Sequence, residues 1–493
     1  MPRTNRRIPF ALTAALAAAV LLAAPAYASK SQFSVMQDDG LLQSTNTAVR
    51  DAALDEMKAL GTRTVKVAMI WRNVAPNAEG SSKPAGFNGA DPAAYGAGFA
   101  GYRALVDAIN ARGMNAWLIL NTPAPKWAAP RNSNRQPGVY EPNAREFGDF
   151  AEAAGRLFPD VPIWSVLNEP NHEAFLWPQV KKTGVIHSAI LYRQLFYEAR
   201  EGLAVAGHNG SRILFGGMAP RAGAPKKGAK SVHPVAFLRQ FFCLDERLRP
   251  VKGRLARDLK CTGKFRRVSA NGFSYHPYTN AKGPLSKLPN KDDAMIGQLP
   301  RLYRVLDAAH KRKRLSQRKI QLFNAEFGYQ TYPPDRCWAK IASVPGFINI
   351  AEYLSWKDRR VANYIQYQLQ DELSSGLCDP RFQAGLRFVD GSKKSGIYAA
   401  YELPIVVELT KSSNMVKIWG GVRAFAGAPQ AVDIQVKQGS GYKTVGTAVT
   451  NGATGYFQTP VTLSGAKGKT WRLSWNGKTS RSAKPVKPVK PQL

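Results

Sequence analysis

Two glutamates stand where a charge is costly. Glu169 ends the run Ile163-Trp164-Ser165-Val166-Leu167-Asn168-Glu169-Pro170-Asn171, and Glu326 lies in Phe323-Asn324-Ala325-Glu326-Phe327-Gly328. Each run starts apolar, as a buried strand does, and ends in a carboxylate. A carboxylate at the mouth of a buried strand is expensive to desolvate, which makes it a candidate for chemistry. Pro170 halts strand pairing directly after Glu169. The plain alternative is that each acid only caps a strand. Two carboxyl groups on one rim can instead share a substrate. One protonates a leaving oxygen and the other attacks carbon, the pair that glycosidic bond cleavage needs. In the retaining form the two groups lie about 5–5.5 Å apart.

Positioning such a pair requires a repeating frame, and the chain supplies one. Strand-like runs occur at Gln32–Met36, Thr64–Ile70, Asn115–Leu120, Ile163–Leu167, Arg212–Gly216, Gly272–Tyr275, Ile320–Ala325 and Val361–Leu369. Helix-like stretches alternate with them, among them Asn46–Leu60, Pro92–Arg112, Asn143–Leu157, Ser188–Ala206, Pro234–Cys243, Pro300–His310, Ile341–Trp356 and Ser395–Leu403. Eight strand–helix units predict an α/β fold, a (β/α)8 TIM barrel over residues 29–403, with its chemistry at the C-terminal ends of the strands. Glu169 then belongs to strand four and Glu326 to strand seven. A doubly wound sheet would carry a Gly-rich phosphate turn, and no G-x-G-x-x-G or P-loop follows any strand. From residue 404 to 477, short strands between Gly-rich turns predict a small C-terminal all-β sandwich. Residues 478–493 repeat Lys-Pro-Val and are expected to be an extended, disordered basic tail.

With this order of elements, Asn168-Glu169-Pro170 on strand four and Ala325-Glu326-Phe327-Gly328 on strand seven resemble the clan A retaining glycoside hydrolases. The nearest likeness is to the family 39 and family 5 groups, over roughly Phe33 to Tyr401. The resemblance implies that Glu169 is the acid/base and Glu326 the nucleophile. It also implies that Asn168 bonds the sugar 2-hydroxyl, and that His276 and Tyr278, just past strand six, assist, with the Tyr278 hydroxyl on the nucleophile. The chain departs from the pattern in three places. Lys66 stands on strand two where relatives often have Arg, and Asn121 ends strand three where many have His. Strand eight offers Tyr367 or Gln370 where Trp is common.

Trp71, Trp127 and Trp177 follow strands two, three and four and are candidates to stack on sugar rings, although Trp is also a common core residue. No cofactor and no metal are expected. There are six His and no H-E-x-x-H, and Asp38-Asp39 lacks the spacing of a calcium loop.

The remaining features concern where the protein works. Arg3, Arg6 and Arg7, an apolar stretch from Ile8 to Ala24 and Ala26-Tyr27-Ala28 have the form of a signal peptide over residues 1–28. The chain is thus expected to be secreted, extracellular or associated with the cell envelope. No other apolar run reaches the roughly 20 residues of a membrane span, so none is expected in the mature chain. Four cysteines allow three pairings. The local one, Cys243–Cys261 with Cys337–Cys378, is the expectation, though sequence does not choose outright. The formal charge is +35. Such a surface favours acidic partners: an anionic polysaccharide or oligosaccharide substrate, or the cell envelope. No specific nucleic-acid partner is expected. The combined expectation is a secreted glycoside hydrolase working by double displacement. Its rival is a catalytically inactive barrel that binds carbohydrate or attaches to the envelope.

Overall fold

The computed structural model describes residues 32–130, 137–181, 183–222, 228–374, 376–378, 381–425 and 427–491. The expected signal peptide lies outside them.

Eight parallel strands form one sheet: β1 (Phe33–Gln37), β2 (Thr64–Ile70), β3 (Asn115–Asn121), β4 (Ile163–Val166), β5 (Arg212–Met218), β6 (Gly272–Tyr275), β7 (Leu322–Asn324) and β8 (Asn363–Tyr367). Their spatial order is β8-β1-β2-β3-β4-β5-β6-β7. A parallel bridge between Leu322 and Val361 brings β7 against β8 and closes the ring. The fold is the (β/α)8 TIM barrel expected. The strands are buried on both faces, which is why they read as nearly continuous apolar runs.

The helices wrap outside, and their starts are capped as the sequence suggests. Asn46 accepts from the Ala48 amide at 3.0 Å, ahead of helix Thr47–Ala59. Asn143 accepts from Arg145 and Glu146, ahead of helix Ala144–Leu157. That helix packs on His187–Val205 through two glycines; a Cβ on Gly202 would meet the Gly148 carbonyl at 2.2 Å. The helix expected over Pro92–Arg112 is split. A 3-10 segment, Pro92–Phe99, turns at Gly96 (φ 55°) into the α-helix Ala100–Ala111. Gly98 there approaches the Val74 carbonyl more closely than any side chain would allow.

Two antiparallel sheets follow the barrel. One contains Ile405–Leu409, Met415–Gly421 and Tyr456–Thr462; the other Ala431–Gln438, Gly441–Val449, Trp471–Trp475 and Lys478–Thr479. Val432, Ile434, Trp471 and Leu473 lie in the core between them. The sandwich is bolted to the barrel. Trp419 packs against Tyr353 and Trp356 of helix Val344–Lys357, and Arg423 forms a buried ion pair with Glu352 at 2.6 Å.

The tail corrects an expectation. Residues 478–491 are docked rather than disordered. Lys478–Thr479 extend the second sheet, Ala483 exchanges backbone hydrogen bonds with Trp471, and Val486 pairs with Val407 and Leu409. Val489 is buried, and its amide donates to Glu408 at 2.8 Å. Proline holds each repeat extended while the valines supply apolar contacts, so the composition hid a strand-like partner. Both local disulfides, Cys243–Cys261 and Cys337–Cys378, are formed. Asp38 and Asp39 do structural work. Asp38 accepts from the amides of Leu41, Leu369 and Gln370, tying β1 to β8 across the closure, and Asp39 accepts from the Ala68 amide.

Candidate active site

The C-terminal rim of the barrel gathers side chains from six strands. Gln37 ends β1, Lys66 lies within β2, Asn121 ends β3, Glu169 follows β4, His276 and Tyr278 follow β6, and Glu326 follows β7.

The loop after β4 is held in an unusual backbone path. Leu167 and Glu169 both have positive φ, 60° and 35°. Such values cost a non-glycine residue energy and persist only where surroundings enforce them. Here they do. The Leu167 amide donates to Leu120, the Asn168 amide to the side-chain oxygen of Asn121 at 3.0 Å, and the Glu169 amide to Gly217 at 2.8 Å. Gly217 is required for that approach, since a Cβ would stand 2.7 Å from the Leu167 carbonyl. Asn171, fully buried, fastens the far side by bonding Ala219 and Val232.

Glu169 and Glu326 face each other with His276 between them. His276 Nδ1 is 3.0 Å from Glu169 Oε1 and 3.4 Å from Glu326 Oε2. One oxygen of each glutamate and the His276 nitrogen lie within 4.8 Å of one another. Because both neighbours are carboxyl groups, Nδ1 is assigned as the protonated nitrogen. The Tyr278 hydroxyl donates to Glu326 Oε2 at 3.4 Å, and its ring stacks on Phe327. Lys66, fully buried, donates to Gln37 at 2.8 Å and places its ammonium 3.9 Å from Glu326 Oε1. Three oxygen and nitrogen ligands at this spacing also suit a metal ion, but Lys66 already brings a positive charge to the same carboxylate.

Burial sets the electrostatics. It pushes the Glu169 carboxyl up to about 7, with His172 and Lys66 opposing. Glu326 is also raised by burial, while His276 and Lys66 pull it back. Burial drives His276 down to about 4, so its ring is neutral near pH 7. The Lys66 ammonium is lowered by burial, against the pull of Glu326. Tyr278 is pushed well up by burial and then by Glu326, so it stays a donor. The neighbouring Glu169 adds to the rise at Glu326. Glu169 is the more open of the two, 18% exposed against 10%.

The structure thus brings together Asn121, Asn168, Glu169, His276, Tyr278 and Glu326. Asn121 acts one step away, by placing Asn168. The tryptophans differ. Trp71 is fully buried, packed by Phe147, Phe150 and Trp127, so it is a core residue and not a sugar platform. Trp127 is committed to that same cluster, its indole nitrogen donating to Pro76 at 3.1 Å. Trp177 is half-buried on the loop after β4, its backbone paired with Val139 and Glu141. On strand eight it is Tyr367 that faces the site, its hydroxyl pushed well up by burial and then by Glu326; Gln370 turns away to bond Val389. Sequence reading passes over Gln37 and Gly217. It has a signal for Lys66, a lysine inside the apolar run Thr-Val-Lys-Val-Ala-Met-Ile.

No family model matches the sequence, and no curated protein matches it. Among solved structures, the chain is similar to a family 39 glycoside hydrolase from the gut symbiont Bacteroides cellulosilyticus WH2, at 11% identity and a TM-score of 0.46, over 87% of this chain and 80% of that one. It is similar to a monomeric beta-xylosidase from Caulobacter crescentus CB15, at 13% identity and a TM-score of 0.47, over 89% and 96%. It is also similar to a beta-glucosidase from Thermotoga maritima, at 13% identity and a TM-score of 0.43, over 75% and 96%. The site's chemistry is read from its own residues.

Proposed function

We propose that the chain is a retaining glycoside hydrolase acting on O-glycosidic bonds of a polysaccharide or oligosaccharide. The observation that supports this best is the carboxyl pair: oxygens of Glu169 and Glu326 within 4.8 Å, bridged by His276. So close an approach suits direct attack by one carboxylate better than the wider spacing that inversion needs.

Glu326 attacks the anomeric carbon while the bond to the leaving oxygen breaks and Glu169 gives that oxygen its proton. The sugar is then esterified to Glu326. Water enters, Glu169 takes its proton, the hydroxide oxygen bonds the anomeric carbon, and Glu326 leaves as carboxylate. Glu169, raised to about 7, holds a proton for the first half and can take one in the second. Lys66, Tyr278 and His276 place positive charge or donors around Glu326, which must be ionised to attack. In this reading Asn168, set by Asn121 beside Glu169, bonds a sugar hydroxyl.

The leader-like N-terminus and the two disulfides support work outside the cytoplasm. The test is chemical rescue. Glu326→Ala should lose turnover of aryl β-glycosides and regain it with azide, giving a glycosyl azide of inverted configuration. Wild-type protein inert on every glycoside tried, yet binding glycans, would replace this reading with that of an attachment protein.

A further inference from the structure

The opposite mouth of the barrel holds a cavity of about 320 Å³. It is lined by Phe33, Arg63, Thr64, Asn115, Arg212 and Gln321, together with Pro162, Ile163 and Ala362. These are residues at the N-terminal ends of β1, β2, β3, β4, β5, β7 and β8. The cavity is therefore separated from Glu169 and Glu326 by the packed barrel interior. Phe323 and Trp117, with ring centroids 6.0 Å apart, form part of that plug.

Three features give this cavity a chemistry. Its two guanidinium groups have no carboxylate partner among the described residues; each instead lies over a ring, Arg212 over Phe323 at 5.5 Å and Arg63 over Phe425 at 4.7 Å. Ring stacking holds a guanidinium plane in place while leaving its N–H edge free to donate. No acidic side chain lines the cavity. The side-chain amides of Asn115 and Gln321 also make no hydrogen bond within the described residues, and Phe33 offers an apolar face. Guanidinium groups on two edges of the cavity suit a carboxylate, free amides suit hydroxyls, and a phenyl face suits the C–H face of a sugar ring. Arg318 and Lys319, both exposed, closely precede Gln321 and add positive charge beside it.

We propose that this N-terminal cavity is a second, non-catalytic binding site for a uronate unit of an acidic glycan. It would hold one part of a polymer at the far end of the barrel from the carboxyl pair. The proposal does not require the glycosidase reading, because the cavity shares no residue with the catalytic rim.

The test uses the full chain carrying Glu326→Gln, so that no probe is consumed. Binding of trigalacturonate, trimannuronate and neutral maltotriose is measured by calorimetry at fixed ionic strength. At least one uronate trimer should bind, and maltotriose should not. Arg63→Gln with Arg212→Gln should weaken uronate binding by about tenfold or more. Arg212→Gln alone, which leaves the Arg63–Phe425 contact to the sandwich intact, should weaken it measurably. A charge-matched control, Arg257→Gln with Lys264→Gln, removes two exposed cations elsewhere and should keep it. The proposal is overturned if neither uronate binds, if maltotriose binds equally, or if the control loses as much as the paired arginine variant. Displacement by an equal concentration of sulfate would overturn the sugar assignment and leave a plain anion site. A uronate affinity that changes when Tyr278→Phe is added to Glu326→Gln would place the ligand in the catalytic cleft, which also overturns it.

Discussion

At the C-terminal mouth, Glu169, His276, Glu326 and Lys66 form a chain of contacts, mostly out of water, and every charge has an opposite or a donor beside it. At the N-terminal mouth, Arg63 and Arg212 are exposed, stacked on rings, and faced by no acid among the described residues. At the first mouth burial raises both carboxyl groups; at the second the arginines are exposed. The difference is desolvation. A buried carboxyl pair forces proton sharing and so makes acid–base chemistry possible. Exposed guanidinium groups offer N–H donors to an anion. One end is suited to making and breaking bonds, the other to holding a charged ligand.

The largest expected effect breaks the C-terminal end directly. With Glu326 as the proposed nucleophile, Glu326→Gln should lower kcat by about 10⁴-fold or more, since a nucleophile has no substitute. Lys66→Met should follow, with about a hundredfold loss in kcat/KM, comparable to removing one preorganised electrostatic contact. Its signature lies in pH. Lys66 holds the Glu326 carboxyl down, so without it that carboxyl rises further and the acidic limb of the kcat/KM profile moves to higher pH. Lys66→Arg should bring the limb back. An acidic limb unmoved in Lys66→Met would mean that this lysine serves the barrel interior and not the nucleophile.

Much of this organisation is legible in the residues. Eight apolar runs with helical stretches between them predict the barrel because parallel strands buried on both faces leave a strong pattern. The two glutamates are legible for the complementary reason, as charges where that pattern ends. Trp71 misleads because a tryptophan after a strand has the same local sequence whether its ring faces a substrate or a helix; Phe147 and Phe150, which decide it, are over seventy positions away. The tail misleads because its composition is that of a disordered segment. Its order comes from the edges of Ile405–Leu409 and Trp471–Trp475, which no local pattern announces. The N-terminal cavity leaves no signal, since its residues come one or two at a time from seven strands.

The next effect is a stability change with a defined pH window. Glu169 is held at about 7, above its ordinary 4.5. The folded state therefore binds this proton more tightly than the unfolded chain. The stability this contributes is fully present below pH 4.5 and is lost as pH rises through 7. Glu169→Gln removes that loss. The variant should match wild type in thermal unfolding below pH 4.5 and exceed it above pH 7, by at most about 3 kcal/mol. In activity, the basic limb of the wild-type kcat/KM profile should fall near pH 7, where the acid loses its proton. A variant no more stable than wild type at pH 8 would show that Glu169 ionises freely, and the contrast between the two mouths would lose its physical basis.

The smallest effect tests the other mouth. If Arg212 is an exposed cation with no acid to serve, its loss should barely touch folding. Arg212→Gln should change unfolding free energy by less than about 0.5 kcal/mol at moderate salt. At low ionic strength the sign should be stabilising, because one of two uncompensated positive charges in the same cavity is gone. The gain should vanish as salt screens the pair, over a Debye length of about 10 Å at 0.1 M. Denaturant unfolding at two salt concentrations reads both. A loss well above 1 kcal/mol, independent of salt, would mean that the guanidinium is there for its packing on Phe323. Arg212 would then be a structural residue like Trp71, and the N-terminal mouth would be another face of the core rather than a site poised for an anion.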